Sequence, residues 1–248
     1  MQSIAFFGAT GGCTLACLIP SLEAGHRCSA LVRSPQKLKD LLPATLASAA
    51  NLRIIQGSIA DAPAVQDTLS TPEGYLVDLI VCGIGGQIRF DNPLRPTLDN
   101  PHICQEAMRA ILDATRTVGA RTATPSDRKP HLVVVSTTGI SRTRDIPLAM
   151  IPLYHWLLKV PHEDKKVMET LVRQETEKDD PDRAISDYTI VRPSLLTDGE
   201  QQGVEKLRVG DDSHPAVGYV ISRADVGGWM FASLVQERRY RGVVSLTS

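Results

Sequence analysis

Apolar residues along this chain gather in short runs, each closed by a glycine-rich or polar corner and followed by apolar positions at helical spacing. Ile4–Phe7, Cys28–Val32, Leu52–Gln56, Val77–Cys82, His131–Val135, Tyr188–Arg192 and Val243–Leu246 read as strands, apolar on both faces. Helical spacing follows Gly12, returns near Pro63–Leu69, and runs through 102–119, where Ile103, Ala107, Ile111, Ala114 and Val118 share one face. Two more helices are predicted at His162–Lys178 and Ala224–Glu237. Strand and helix alternate throughout, which predicts an α/β protein of Rossmann type: a doubly wound, mostly parallel sheet with helices on both faces. No repeat interrupts the pattern, so residues 1–248 are expected to form one domain.

Two stretches break the rhythm. Residues 141–160 are apolar and carry Pro147, Pro152, Tyr154 and Trp156; residues 197–219 are rich in Gly, Asp and Gln. Both follow the carboxyl ends of strands, where open α/β sheets bind ligands, and both are expected to wall a substrate pocket. The plain alternative is two surface loops. The charge run Glu175–Arg183 reads as a solvated helix end.

The first corner carries the chemistry. Ile4–Phe7 leads into Gly8-Ala9-Thr10-Gly11-Gly12 and then a helix, with a second strand about twenty residues on. Glycines here let a backbone approach a pyrophosphate, and the helix start presents unpaired N–H groups to the anion. The spacing Gly8-x-x-Gly11-x-x-Thr14 is similar to the short-chain dehydrogenase form, with Thr in the third glycine's place. A glycine turn that only joins two elements is the competing reading. The second strand ends in Arg33, not in the acid that would accept from a ribose 2′-hydroxyl. Arg33, Ser34 and Lys37 offer cations and a hydroxyl to a 2′-phosphate, so NADP(H) is the expected cofactor. Otherwise Arg33 is a solvated strand end.

Charge narrows the partners. The 27 basic and 28 acidic side chains nearly cancel, and no basic run suggests nucleic acid. No apolar run reaches the ~20 residues that cross a bilayer. The first strand begins at once, so no signal peptide is expected. Cys13, Cys17, Cys28, Cys82 and Cys104 show neither a metal spacing nor a paired motif, and Cys13 and Cys17 read as small apolar packing on one helix face. A reducing cytoplasm fits this usage. A small-molecule substrate, no nucleic-acid or membrane partner, and a monomer or homodimer are expected.

With these residues placed, nearly the whole chain resembles the NmrA-like, biliverdin-reductase-B-like group of atypical short-chain dehydrogenases. The resemblance rests on IAFFGATGG at 4–12, LVRSPQKL at 31–38, Gly57 with Asp61, Tyr188-Thr-Ile-Val-Arg-Pro193, and Ile221-Ser-Arg-Ala-Asp-Val226. Its flavour is fungal, in the manner of proteins of secondary metabolism. It implies that Gly8, Thr10, Gly11 and Gly12 surround the pyrophosphate, Arg33 meets the 2′-phosphate, and Ile59 with Asp61 borders the adenine. It further implies that Gly83 and Gly85 admit the ribose, that Ser136, Thr137 and Thr138 face the nicotinamide, and that Pro193 and Ser194 flank its ring.

The catalytic motif is where the chain departs from the group. Ordinary members carry Tyr-x-x-x-Lys on the helix after the fifth strand, the Lys holding the ribose and lowering the Tyr pKa. Lys165 falls in the lysine register, which puts Pro161 where the tyrosine belongs, and proline donates no proton. Tyr154 and Lys159 stand one residue too far apart to share a helical face as that motif does. The candidates for the missing acid are His162, which titrates in the useful range, and Tyr154, which the 141–160 stretch can bring to the pocket. Thr138 is a candidate for orienting a carbonyl. Glu163 and Asp164, if exposed, are ionised and poor donors. The bland readings are a helix-start cap for His162, packing for Tyr154 and a solvated face for Lys165.

The leading expectation is an NADP(H)-dependent reductase of a small apolar carbonyl, imine or conjugated system. A non-redox cyclase or isomerase on the same fold, and an NADP-sensing regulator of the NmrA kind, are the alternatives.

Overall fold

The computed structural model describes residues 1–89, 97–122, 128–180 and 182–248. Its centre is an eight-stranded sheet. In chain order the first half supplies β1 (Ser3–Phe7), α1 (Gly12–Glu23), β2 (Arg27–Val32), α2 (Pro35–Leu41), α3 (Ala44–Ala47), β3 (Leu52–Gln56), α4 (Ala62–Thr68) and β4 (Leu79–Cys82). A small hairpin of β5 (Ile88–Arg89) and β6 (Thr97–Leu98) precedes α5 (Ile103–Thr122). The second half supplies β7 (His131–Val135), α6 (Ile151–Leu157), α7 (Lys159–Glu177), β8 (Asp187–Pro193), β9 (Leu195–Thr197), β10 (Arg208–Asp211), β11 (Val220–Ser222), α8 (Arg223–Met230) and β12 (Gly242–Thr247).

The strands lie in the order β10-β12-β8-β7-β4-β1-β2-β3, and every pair is parallel except β10–β12. The order reverses beside β1, which opens a cleft above the carboxyl ends of β1 and β4. Both faces are buried. Phe6 packs with Leu18, Val226 and Trp229 on one side, and its neighbour Phe7 with Ile80, Met108 and Ile111 on the other. That two-sided burial is why these strands read as unbroken apolar runs. The doubly wound fold is as the sequence predicts, and the seven strand segments fall within two residues of their observed bounds.

Helix α8 lies on α1 at a glycine. A Cβ on Gly227 would stand 2.4 Å from the Cβ of Ala16, so the two helices approach closely and the start of α8 comes beside the glycine corner. The predicted last helix divides in two: α8 ends at Met230 and a π-helical stretch, Phe231–Gln236, completes it.

Three expectations need correction. The helix expected from His162 begins at Lys159, because residues 148–157 already coil: a 3₁₀ turn, Leu148–Met150, leads straight into α6. Pro161 is tolerated there because the first turn of a helix has no carbonyl for its missing N–H. The 197–219 stretch contains β10, a short polar strand at the sheet edge that apolar runs do not reveal. Glu175 does not belong to a solvated helix end. Its side chain is buried and accepts from Arg116, Lys178 and the N–H of Ala184.

Candidate active site

The glycine corner is shaped by close approach. Gly8 has φ +80°, and a Cβ there would lie 2.9 Å from the carbonyl carbon of Gly83, so both conformation and space require glycine. The N–H of Gly11 donates to the carbonyl of Gly8 at 2.8 Å and turns the chain into α1. Gly11 then caps that helix with no side chain, and no acid stands in its first turn. The first N–H groups of α1 are thus left for a ligand, as an anion site requires. Thr14, in the third glycine's place, is buried, and its hydroxyl occupies the space that a Cβ on Gly83 would fill. Gly83 is therefore the residue that lets Thr14 fit.

At this corner lies a cavity of about 300 Å³, bordered by Gly11, Gly12, Gly83 and Gly85 and by Tyr154, Lys165 and Pro193. Lys165 and Arg223 are the charged side chains on its wall. The Lys165 ammonium donates to the carbonyls of Val135 (2.7 Å) and Ile84 (3.3 Å), at the carboxyl ends of β7 and beyond β4. An ammonium has three donors, so one remains for a ligand. The solvated face is excluded for Lys165.

Tyr154 reaches the same cavity from α6. It is 3% exposed, its hydroxyl lies 3.4 Å from Oγ1 of Thr138, and its ring packs 5.6 Å from that of His162. Gly139 makes this possible: with φ +88°, a Cβ there would strike both rings, at 2.6 and 2.7 Å. Burial pushes the Tyr154 phenol above its usual 10.0, helped by the nearby Asp145 and opposed by the hydrogen bond to Thr138.

A polar network stands behind the cavity. Ser136 donates to Glu169 at 2.6 Å, and Glu169 takes two bonds from Arg192, at 2.9 and 2.5 Å. Arg192 also reaches Ser141 and Asp212, tying both irregular stretches to β8.

Residues 8–237 match the NAD(P)H-binding family. The chain belongs to that family. Among the relatives of this NAD(P)H-binding protein, a reductase of Aspergillus terreus (pytE) is 51% identical, with 96% of this chain and 93% of the relative covered. An oxidase of Aspergillus niger (pynE) is 38% identical over 94% of this chain and 92% of its own. Among solved structures, a short-chain dehydrogenase/reductase from Veillonella parvula in complex with NADP shares the fold at TM-score 0.68 and 13% identity, covering 100% and 94% of the two chains. The anaerobilin reductase ChuY of Escherichia coli O157:H7 does so at TM-score 0.65 and 20% identity, covering 99% and 96%. The group recognised from the motifs is thus the right one.

Within this family frame the remaining candidates divide. Arg33 and Lys37 are exposed at the end of β2 and on α2, free of the core. Ser34 caps α2, its Oγ accepting from the N–H of Lys37, and Asp61 caps α4 in the same way through Ala64. Ile59 is partly buried against the core beside it. Thr10 is partly exposed on the corner itself. Ser136 lines the cavity, and its hydroxyl proton is committed to Glu169, which leaves its oxygen only as an acceptor. Thr138 is fully buried and meets the pocket only through Tyr154.

His162 requires correction. It is neither a helix-start cap nor on the cavity wall: its N–H bonds to Leu158 within the helix, and its ring lies behind Tyr154. Asp164 is buried, and both its oxygens accept from the N–H groups of Cys104 and Gln105, capping α5. The five cysteines are buried and free, as packing residues should be, and burial raises Cys13 and Cys104 to about 11.

Sequence reasoning missed Leu158, Leu195, Leu196 and Arg223 on the wall. Arg223 had a signal. It follows Ser222, whose hydroxyl accepts from the N–H of Asp225 and so fixes Arg223 as the first residue of α8. No helix among the described residues is long and apolar enough to cross a membrane.

Proposed function

We infer that this oxidoreductase uses NADPH to reduce a small, largely apolar organic molecule, a carbonyl, imine or conjugated system, as a step of secondary metabolism. The observation that carries the reading is the meeting of Lys165 and Tyr154, from different helices, in one cavity that begins at the glycine corner. Residues 1–248 then act as one domain, with 141–160 and 197–219 as the pocket's walls.

The corner fits a dinucleotide by its uncapped helix start and by the tight, side-chain-free turn that Gly8 permits against Gly83. Bound NADPH supplies the hydride. The chain's own residues do the rest. Gly8, Thr10, Gly11, Gly12 and the first turn of α1 bind phosphate; Arg33 and Lys37 meet the 2′-phosphate, and Ser34 orders that turn. Ile59 and Asp61 border the adenine, Gly85 has open space beside it for the ribose whereas the space at Gly83 is taken by Thr14, and Lys165 donates its third N–H to a ribose hydroxyl. Pro193 and Thr137 border the nicotinamide side. Tyr154 donates its proton to the substrate oxygen or nitrogen as the hydride reaches carbon, and Thr138 holds the phenol in place. Apolar Leu158, Leu195 and Leu196 favour an apolar substrate and exclude water.

A raised phenol pKa makes Tyr154 a weaker acid than the Tyr of an ordinary Tyr-x-x-x-Lys site. Substrates that need little proton assistance suit it best. The test is NADPH deuterated at C4, offered with a panel of apolar ketones, imines and enones. Deuterium in a product supports reduction and names the class. Turnover of an isomerisable substrate without deuterium transfer would favour a non-redox reaction in the same pocket.

A further inference from the structure

Arg223, the first residue of α8, lies beside the glycine corner. Its side chain lies across Gly12: a Cβ on that glycine would stand 2.5 Å from Arg223 Cδ and 3.0 Å from its Cβ. The absent side chain at Gly12 therefore makes room for an arginine. The guanidinium lines the cavity beside Gly11 and Gly12, and its Nη1 donates to Oδ1 of Asp198 at 2.7 Å. Asp198 is 90% exposed, and Arg223 is 35% exposed. An ion pair so open to water holds weakly. A pyrophosphate anchored on the α1 N–H groups would offer the same guanidinium a stronger, charge-assisted partner.

We propose that Arg223 is a cofactor-phosphate clamp held in reserve by Asp198, exchanging that carboxylate for the dinucleotide's pyrophosphate when the cofactor binds. The position of α8 makes the exchange local. Its start is fixed by Ser222 and Asp225, and Asp225 Oδ1 also accepts from the N–H groups of Gln202 and Gly203. The 197–203 stretch, whose Asp198 is released, is therefore tethered to the same helix start. Cofactor binding then frees one end of a pocket wall while the other stays fixed. The proposal rests on the dinucleotide reading of the cavity.

The test is a fluorescence titration of wild type, Arg223→Met, Arg223→Lys and Asp198→Asn with both NADPH and NADH. Arg223→Met is expected to weaken the two cofactors equally, by about tenfold, because the pyrophosphate is common to both. Arg223→Lys should recover part of that loss. Asp198→Asn should tighten both, since it removes the negative charge that competes for the guanidinium and leaves only a weaker, neutral acceptor. Unchanged affinity in Arg223→Met, a loss confined to NADPH, or looser binding by Asp198→Asn would each overturn the clamp. A wild type that binds neither cofactor would instead bring down the reading on which it rests. A near-native thermal midpoint in Arg223→Lys guards against a folding defect.

Discussion

The hydroxyl of Tyr154 lies 3.4 Å from Oγ1 of Thr138, although one residue belongs to α6 and the other follows β7. This contact brings a phenol to the cavity in which the helix register offers only Pro161. Its partner across the wall is Lys165, eleven positions on in sequence and no part of the same helical turn. Tyr154→Phe should lower kcat by about a hundredfold while NADPH affinity stays the same, the range expected for loss of a general acid. Because burial raises the phenol above 10.0, the wild-type rate should be flat across the neutral range and fall only in strong alkali. A limb near the ordinary histidine pKa of about 6.5 would move the acid to His162.

Arg33→Ala should weaken NADPH by at least about tenfold and leave NADH nearly unchanged, because the exposed guanidinium stands at the end of β2 to meet a 2′-phosphate that NADH lacks. Paired Kd measurements decide it. Equal losses for both cofactors would remove the 2′-phosphate assignment.

Lys165→Met should weaken NADPH and slow hydride transfer together. The ammonium is set by two carbonyls at the carboxyl edge of the sheet, so the substitution removes the ribose donor and the fixed charge at once. Single-turnover rates with deuterated NADPH separate the two effects. Wild-type values for both would return Lys165 to a structural role.

The fold was legible because both faces of the sheet are buried. Strands such as Ile4–Phe7 and His131–Val135 then become apolar runs that need no periodicity to be found. The cofactor end was equally legible, since Gly8 and Gly11 are demanded by backbone geometry local to the corner. The catalytic end was not. Tyr154 reaches its place through a glycine at 139 that makes room for it and through a separate helix, α6, which starts at Ile151, eleven residues before the helix that the apolar spacing indicated. His162 could not be separated from it by sequence, as both are buried in one cluster. Asp164 and Glu175 looked like surface charges because nothing local announces a carboxylate that caps a distant helix or gathers Arg116 and Lys178. Cys104 and Arg116, which pair with them, lie about sixty residues away in sequence.

Acid should destabilise the protein in two stages. His131 is partly buried, with its pKa pushed down from 6.5 to about 3 by desolvation and by Arg241, and Nε2 pairs with Thr189. The unfolded imidazole takes up a proton below 6.5 and the folded one does not, so stability falls as pH drops from 6.5 toward 3. Glu175 adds a second loss. Burial opposes its charge, but Lys178, the Ala184 N–H and Arg116 outweigh that and hold it below 4.5. Its stabilisation is present above 4.5 and disappears as pH falls through the lowered value. Thermal midpoints taken from neutral pH downward should decline from about 6.5 in wild type, and His131→Gln should flatten the first part of that decline.

Removing one partner of the Glu169–Arg192 pair should be costly, since both side chains are nearly buried. Glu169→Gln leaves the guanidinium short of a counter-charge and Ser136 with a changed acceptor. A loss of about 3 kcal/mol in urea unfolding is expected. A change under about 0.5 kcal/mol would mean that Asp212 and water can replace the carboxylate.

The most direct test of the account is a parallel titration of the wild-type protein with NADPH and NADH, followed by nicotinamide fluorescence, with apolar carbonyl, imine and enone acceptors then added to the NADPH complex. The account predicts tighter binding of NADPH and a loss of the reduced-nicotinamide signal that depends on an acceptor. Equal or absent binding of the two cofactors, or a bound NADPH that no acceptor in the panel oxidises, would contradict it.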